Sequence, residues 1–302
     1  MDRRKPDLIF IGPYKSGSEY LRAYFDQHPE IVWTRQAQFF LADANRMRMS
    51  EYPEGVPAEA EKKYFIDMFE GVAIGYIFRE AKNWPVTGFQ PFRPLSDEVL
   101  IPDQMAVAAR IHAAAPDAKI LMCLRNQVDW LRSSYLHHIY FLAPKDRTFS
   151  QFLNTLEGKC AMDAGHYDRI VQAYATVFGR EQVHVMLIEE VASDEEKTLR
   201  RLCDFMELPY VPYPAEQKKQ NSGKGLLAGN AISRLSRLGL SDSRLRGLGR
   251  IVRPLIPWLK PFITYDVINT TERRVLGAVY AASNFRTARL TGLDLARAGY
   301  PM

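Results

Sequence analysis

Apolar and polar positions follow one another in short blocks that predict strands and helices in turn. Residues 8–11 form an unbroken apolar run that ends at Gly12, which is typical of a buried parallel strand. After a turn, the apolar residues of 20–25 recur at helical spacing, and Ser16 or Ser18 is placed to cap that helix. The chain therefore begins with a strand–turn–helix unit.

The same periodicities predict an alternation of strands and helices up to about residue 210. Further strands are predicted at 31–33, 72–78, 119–124 and 183–188, and helices at 58–69, 104–115, 128–141, 167–178 and 195–206. The Pro- and Gly-rich residues 83–94 are predicted to form a loop. Strands separated by helices favour right-handed crossovers, and so an α/β fold with a central, mainly parallel sheet flanked by helices. We expect a single domain over 1–302, with about 210–302 as a loop and helical C-terminal extension.

Composition adds limits on size and compartment. The 302 residues are 47% hydrophobic, enough for one large or two small cores. The three cysteines lie far apart without a CxxC pair, which fits a reduced interior better than a disulfide frame. The charged N-terminus enters the first strand at once, and no apolar run approaches the roughly 18 residues of a membrane helix. We expect a soluble, cytoplasmic protein.

The positive charge is unevenly spread. The net charge is +5, and the stretch 234–260 holds seven Arg and Lys residues against the single acidic residue Asp242. This stretch is a candidate contact for an acidic substrate or, weakly, for a membrane surface. A solvated helical face is the alternative.

The turn between the first strand and helix is suited to an anion. Gly12 and Gly17 have the spacing of a nucleoside-triphosphate loop, but Ser18 and Glu19 stand where that loop has its lysine and its magnesium-binding hydroxyl. The lysine is instead Lys15, inside the turn. This pattern indicates an anion loop without a metal ion. The alternative is an ordinary turn with a solvated lysine.

A second cationic side chain follows the strand at 119–124. Arg125 leaves that strand at the edge where parallel sheets bind ligands, and Ser133 lies about two turns into the next helix. An arginine and a hydroxyl together would suit a second phosphate. In the alternative, Arg125 simply pairs with Asp129. No histidine or cysteine spacing fits zinc, and no metal is expected.

These two segments together resemble the sulfotransferases that use 3′-phosphoadenosine 5′-phosphosulfate (PAPS), in particular their carbohydrate-type and bacterial branch. The resemblance is carried by the order of a lysine-bearing loop and a strand followed by LRNQVDWLRSSY (124–135). Further similar segments are HPEIVWTRQAQFF (28–40), AAPDAKILMCLRN (114–126), GHYDRIVQAYATVFGREQVHVMLIEE (165–190) and the tail TGLDLARAGY. The resemblance touches most of the chain, although its sharp motifs cover only the two loops.

The resemblance implies a P-loop-like fold and a role for each motif residue. The loop around the 5′-phosphosulfate would consist of Lys15, Ser16, Gly17, Ser18, Glu19 and Tyr20. Lys15 would neutralise the charge that grows on the bridging oxygen, while Arg125 and Ser133 would hold the 3′-phosphate. The segment KKQNSGKG (218–225) would close over the nucleotide through Asn221, Ser222, Gly223 and Lys224. A flexible polar linker is the alternative for this segment.

One departure from the family concerns the general base. Gln36 stands where the carbohydrate branch often has a glutamate, and an amide cannot accept a proton at neutral pH. Asp97 or Glu98 is the favoured substitute. Alternatively the acceptor is a more acidic phenol, or the chain binds the nucleotide without turnover.

The expected reaction is transfer of a sulfuryl group from PAPS to a hydroxyl acceptor, a carbohydrate or glycolipid. The acceptor would contact Gln36 and an aromatic and basic wall at 76–94 that includes Trp84 and Arg93. A phenolic or other small-molecule acceptor, a magnesium-dependent small-molecule kinase and a non-catalytic nucleotide- or polyanion-binding protein are the alternatives. No nucleic-acid partner is expected, and the sequence does not indicate an oligomeric state.

Overall fold

A computed structural model of the chain describes eight strands and nine α-helices within residues 6–13, 15–34, 64–70, 77–78, 92–94, 99–141, 148–213 and 267–302. The strands are β1 (Leu8–Gly12), β2 (Ile31–Thr34), β3 (Tyr64–Glu70), β4 (Ile77–Phe78), β5 (Phe92–Pro94), β6 (Val99–Pro102), β7 (Lys119–Leu124) and β8 (Val183–Leu187). The helices are α1 (Ser18–Phe25), α2 (Gln104–Ala114), α3 (Gln127–Phe141), α4 (Phe149–Leu153), α5 (Leu156–Ala164), α6 (Tyr167–Phe178), α7 (Ile188–Ser193), α8 (Glu195–Met206) and α9 (Thr270–Thr291).

The larger sheet has five parallel strands in the order β2-β3-β1-β7-β8. Leu8 on β1 lies opposite Ile66 on one side and Lys119 on the other. All five residues of β1 are buried, because a central parallel strand is covered on both faces and is apolar at successive positions. The prediction of an α/β fold built on a mainly parallel sheet is confirmed.

A smaller antiparallel sheet has the order β4-β6-β5. Its β4 lies at the end of the predicted strand 72–78, of which residues 72–76 lie outside the described residues, while β5 and β6 were not predicted. Its strands are two to four residues long, too short to show a period in the sequence. Of the predicted loop at 83–94, the last three residues form β5, and residues 83–91 lie outside the described residues.

The predicted helix at 58–69 is wrong where the structure describes it, because residues 64–70 form β3. This strand pairs in parallel with both β1 and β2. Its sequence, YFIDMFE, is rich in aromatic residues, and a short apolar run is compatible with either a buried helix or a buried strand. Pairing with β1 decides between them, because it satisfies the backbone of β3 on one side while β2 satisfies the other.

The core beside β1 is closed by α8. Leu199, Leu202, Cys203 and Met206 are buried at helical spacing and pack with the apolar residues of β1 and α1. Burying a side chain of this size contributes about 1.5–3 kcal/mol. The helix therefore fixes the position of α1, which follows the candidate anion loop.

The chain forms two compact units, one of residues 1–126, 163–213 and 280–302 and the other of 127–162 and 214–279. In the second unit, Tyr135 packs edge-on against Phe149 with ring centroids 5.5 Å apart. Thr148 there forms a capping box with Gln151 at the start of α4. The single domain over 1–302 stays a prediction.

The three cysteines, Cys123, Cys160 and Cys203, are buried and free of disulfides. In the ranges that the structure describes, no helix is both long and apolar enough to cross a membrane.

Candidate active site at the carboxyl edge of the parallel sheet

The carboxyl ends of β1 and β7 mark the point where the strand order of the larger sheet reverses. From β1 the chain continues to β2 and β3 on one side of the sheet, and later to β7 and β8 on the other. Connections that leave such a point in opposite directions open a crevice, which is where open α/β sheets bind their ligands. Lys15 follows β1 and Arg125 follows β7 at this edge.

Lys15 lies in a left-handed backbone conformation, with φ +68°, and its side chain is exposed. A residue with a Cβ in this conformation costs roughly 1–2 kcal/mol, so the surrounding turn must hold it there. The turn thus presents a lysine side chain at a position where the backbone itself would prefer glycine.

The two residues after Lys15 are packed into the protein. Ser16 is fully buried, and its hydroxyl donates to the Pro13 carbonyl. Gly17 has φ +106°, and a Cβ added there would lie 2.7 Å from Cδ1 of Ile188 and 3.2 Å from Sγ of Cys123. Only glycine combines this backbone angle with so close an approach.

The prediction that Ser16 or Ser18 caps α1 is wrong. Gly17 occupies the N-cap, and no described side chain caps the first turn. The Ser16 hydroxyl is directed to Pro13 instead, and Ser18 is the first residue of the helix. Within the part of the chain that the structure describes, the amide groups at this end have no side-chain cap, which suits a helix N-terminus that receives an anion.

Glu19 and Tyr20 direct their side chains to other groups. Glu19 forms an ion pair with Arg22 one turn along α1. The Tyr20 ring stacks on Tyr213 with centroids 4.5 Å apart, and burial together with the Glu195 carboxylate raises the pKa of Tyr20. What these two positions can offer an anion is consequently their backbone N–H groups.

Arg125 reaches across to the first turn. Its Nη1 donates to the Lys15 carbonyl oxygen at 3.1 Å, and its own carbonyl oxygen accepts from the Tyr167 hydroxyl at 2.7 Å. Tyr167 is fully buried on α6, so the backbone at Arg125 is tied to the interior while the side chain remains partly exposed. The structure brings the two predicted cationic residues together at one edge of the sheet.

A half-buried carboxylate supports the turn after β7 and was not singled out from the sequence. Glu189 accepts from the Asn126 backbone N–H at 2.8 Å and from the Tyr300 hydroxyl at 3.1 Å. Burial raises the pKa of Glu189, whereas these hydrogen bonds and the positive charge of Arg125 lower it. A signal was present in the sequence, since Glu189 follows β8 and so had to lie at the same edge of the sheet as Arg125.

The amino-acid sequence matches the profile of the sulfotransferase family over residues 6–212. The chain belongs to the sulfotransferase family.

This sulfotransferase is 21% identical to the bifunctional heparan sulfate N-deacetylase/N-sulfotransferase 1 of Caenorhabditis briggsae over 223 residues, which are 69% of this chain and 23% of the relative. The chain therefore spans less than a quarter of that relative. A solved sulfotransferase from Alicyclobacillus acidocaldarius is similar at 22% identity and a TM-score of 0.45, covering 80% of this chain and 99% of that one. A mouse sulfotransferase complexed with PAP is similar at 14% identity and a TM-score of 0.47, covering 94% and 85%.

The other predicted site residues of this sulfotransferase stay predictions. Ser133 is buried on α3 in the second unit, and Arg93 lies at the centre of β5 in the first. The shared phosphate of Arg125 and Ser133 stays a prediction. The predicted residues that lie outside the described residues are Gln36, Trp84, Asp97, Glu98, Asn221, Ser222, Gly223 and Lys224. Within the described residues, no group of three His, Cys, Asp or Glu side chains is placed to hold a metal ion.

Proposed function

We propose that this protein transfers the sulfuryl group of PAPS to a hydroxyl of a carbohydrate or glycolipid. The contact between Arg125 and the Lys15 carbonyl, 3.1 Å long, is the observation that supports this most directly. It joins the ends of two neighbouring parallel strands, and each end carries a cation. A nucleotide with phosphate groups at both its 5′ and 3′ positions has two anions to match them.

The first turn has the chemistry that a 5′-phosphosulfate needs. It offers the first turn of α1, which no described side chain caps, the left-handed Gly17 and the exposed Lys15 ammonium group. Arg125 has five N–H donors and would meet the 3′-phosphate with those that do not contact Lys15. Ser133 and residues 221–224 would complete the grip on the nucleotide.

The proposed reaction is an in-line displacement at sulfur. The acceptor oxygen forms a bond to sulfur while the bond from sulfur to the bridging oxygen of the 5′-phosphate breaks, and the acceptor proton passes to a base. The products are a sulfate ester and 3′-phosphoadenosine 5′-phosphate (PAP). Lys15 would stabilise the negative charge on the bridging oxygen, where preorganised charge contributes most to rate. No metal ion takes part.

The base in this proposal is Asp97 or Glu98, with Gln36, Trp84 and Arg93 binding the acceptor. Each carboxylate is replaced singly by alanine, and turnover is measured with PAPS. A loss in one variant identifies the base. Unchanged turnover in both would remove these residues from the mechanism.

The nature of the acceptor is proposed from the family resemblance and from one relative. The Caenorhabditis briggsae protein is named for heparan sulfate, a carbohydrate, and for N-sulfotransfer. Transfer assays therefore include a glycan with free hydroxyls, a glycan with free amines and a phenol. We also propose a cytoplasmic location, supported by three buried cysteines that form no disulfide, and a weak membrane-surface contact through residues 234–260.

Calorimetric titration with three nucleotides tests the binding half of the proposal. We expect PAP to bind more tightly than adenosine 5′-monophosphate (AMP), and ATP with magnesium to bind weakly. Preference for ATP with magnesium would indicate a kinase instead. Binding of none of the three would indicate a polyanion- or membrane-binding role, which an assay with anionic vesicles would then address.

A further inference from the structure

The C-terminal segment makes polar contacts with the turn that carries Arg125. The Tyr300 hydroxyl donates to Oε2 of Glu189, whose Oε1 accepts from the Asn126 backbone N–H. The Asn126 side chain donates in turn to the Gly299 carbonyl oxygen at 2.6 Å. Residues 299–300 thus contact the exit of β7 both directly and through Glu189.

The segment is itself anchored. Tyr300 is 4% exposed and Leu295 is fully buried. The Tyr300 N–H donates to the Leu295 carbonyl at 2.9 Å, and the Asn284 side chain on α9 donates to the Pro301 carbonyl at 2.8 Å. Because both ends of the turn at 295–300 are held, Tyr300 is fixed when it contacts Glu189.

We propose that Glu189 and Tyr300 are positioning residues of the nucleotide site, which hold the turn after β7 so that Arg125 meets the 3′-phosphate. This inference rests on the proposed function. Neither residue touches the nucleotide in the proposal; both act through the backbone of Asn126, the residue next to Arg125.

The hydrogen bonds to the turn after β7 act on the backbone at Arg125 itself, so they position its side chain in addition to stabilising the fold. The turn is held at two successive residues, by Tyr167 on the carbonyl of Arg125 and by Glu189 on the N–H of Asn126. These two bonds fix the peptide plane from which the Arg125 side chain departs. A long side chain amplifies a small rotation of that plane, and a displacement near 1 Å is enough to weaken a phosphate contact.

The experiment compares PAP with AMP, which differ by the 3′-phosphate alone. Calorimetry gives the ratio of their dissociation constants for the full chain. We expect Glu189→Ala to reduce the preference for PAP about tenfold, the scale for losing a hydrogen bond to a charged group, with AMP binding unchanged. Glu189→Gln should restore most of the preference, because the amide oxygen still accepts from Asn126. Tyr300→Phe should reduce it about threefold.

Glu190→Ala is the matched control. Glu190 is the next residue on α7, it is similarly half-buried, and its partner is Arg201 at 2.6 Å rather than the turn after β7. The preference for PAP should be unaffected. Thermal unfolding is measured for every variant. If Glu189→Ala does not fold, the PAP preference of Tyr300→Phe tests the inference instead, because this variant removes only a single hydroxyl.

Two outcomes overturn the inference, and they distinguish its failure from a failure of the proposed function. If the unmodified protein prefers PAP and the variants keep that preference, or lose PAP and AMP affinity equally, Glu189 and Tyr300 do not position Arg125. If the unmodified protein shows no preference for PAP over AMP, the proposed function itself fails, and the inference fails with it.

Discussion

The turns after β1 and β7 leave neighbouring strands at the same edge of one sheet, yet they are held by different means. The turn after β1 is held by backbone conformation and close packing, with Lys15 and Gly17 at positive φ and Ser16 fully buried. The turn after β7 is held by polar side chains distant in sequence, Tyr167 and Glu189.

This difference suits the two tasks that we propose. A cradle of backbone N–H groups needs a fixed main chain, which a tight turn of few residues provides. An arginine that reaches a second phosphate needs its starting point and direction fixed, and this requires partners on both sides of the turn. The first turn is therefore held by main-chain angles and by close packing at Gly17, whereas the second is held by hydrogen bonds from side chains distant in sequence.

Removing the lysine charge should have the largest effect. Lys15→Met keeps the side-chain length and the left-handed backbone, so it deletes only the charge at the first turn. We expect turnover to fall on the order of a hundredfold, and more than PAP affinity falls, because the charge acts on the breaking bond. Steady-state kinetics and calorimetry measure the two effects. Lys197→Met on α8, where the lysine is exposed, should be neutral; an equal loss in both variants would contradict a local role.

Gly17→Ala separates backbone strain from packing in the first turn. The new methyl would lie 2.7 Å from Ile188, and φ is +106°, so we expect a loss of about 3 kcal/mol in the free energy of unfolding. Gly292→Ala is the control, because Gly292 also has positive φ, +73°, but nothing lies within 4 Å of an added Cβ. It should cost about 1 kcal/mol. Equal costs in urea unfolding would show that the first turn is not tightly packed.

We expect acid to lower the free energy of unfolding through His184, which lies on β8, the strand that leads to Glu189. Burial, together with the charges of Arg201 and Arg180, lowers the pKa of His184 to about 4. The unfolded chain then binds a proton that the folded chain does not, so stability falls as pH drops from about 6.5 to about 4. We expect a loss of about 2 kcal/mol, since the ring keeps some solvent contact.

His184→Phe tests this prediction. The new ring can still stack on Phe205, as His184 does with centroids 5.0 Å apart, but it cannot be protonated. Urea unfolding between pH 7 and pH 4 should show a smaller fall in stability for the variant than for the unmodified protein. Parallel curves would assign the acid sensitivity to other groups.

Removing a hydroxyl from a buried tyrosine on α6 should have the smallest effect on stability and PAP affinity. Tyr167→Phe removes the hydroxyl that donates to Arg125, and should cost about 1 kcal/mol of stability and a few-fold in PAP affinity. Tyr174→Phe is the control, because the Tyr174 hydroxyl is buried and makes no hydrogen bond to any described residue. It should leave both quantities nearly unchanged or raise the stability slightly. Similar losses in both variants would mean that the second turn does not depend on its side-chain partner.

Most strands of the larger sheet and several of the helices were predicted from local patterns in the sequence. The strands at 8–12, 31–34, 119–124 and 183–187 and the helices at 104–114, 127–141, 167–178 and 195–206 lie close to their predicted places. The exception is β3, because an aromatic-rich run of seven residues takes the structure of whatever it pairs with. The prediction of a capping serine was wrong, since the Ser16 hydroxyl can either accept from a helix N–H or donate to a carbonyl, and only the packed turn selects the Pro13 carbonyl.

The amino-acid sequence alone determined the parallel α/β architecture, the lysine-bearing turn and the presence of an arginine after a neighbouring strand. These depend on periodicity and on short spacings, which are visible along the chain. Only the tertiary structure decided that Arg125 contacts Lys15 and that Tyr167, Glu189 and Tyr300 surround the turn after β7. Such contacts join residues more than forty positions apart, and they form only once the sheet has brought the strand ends together.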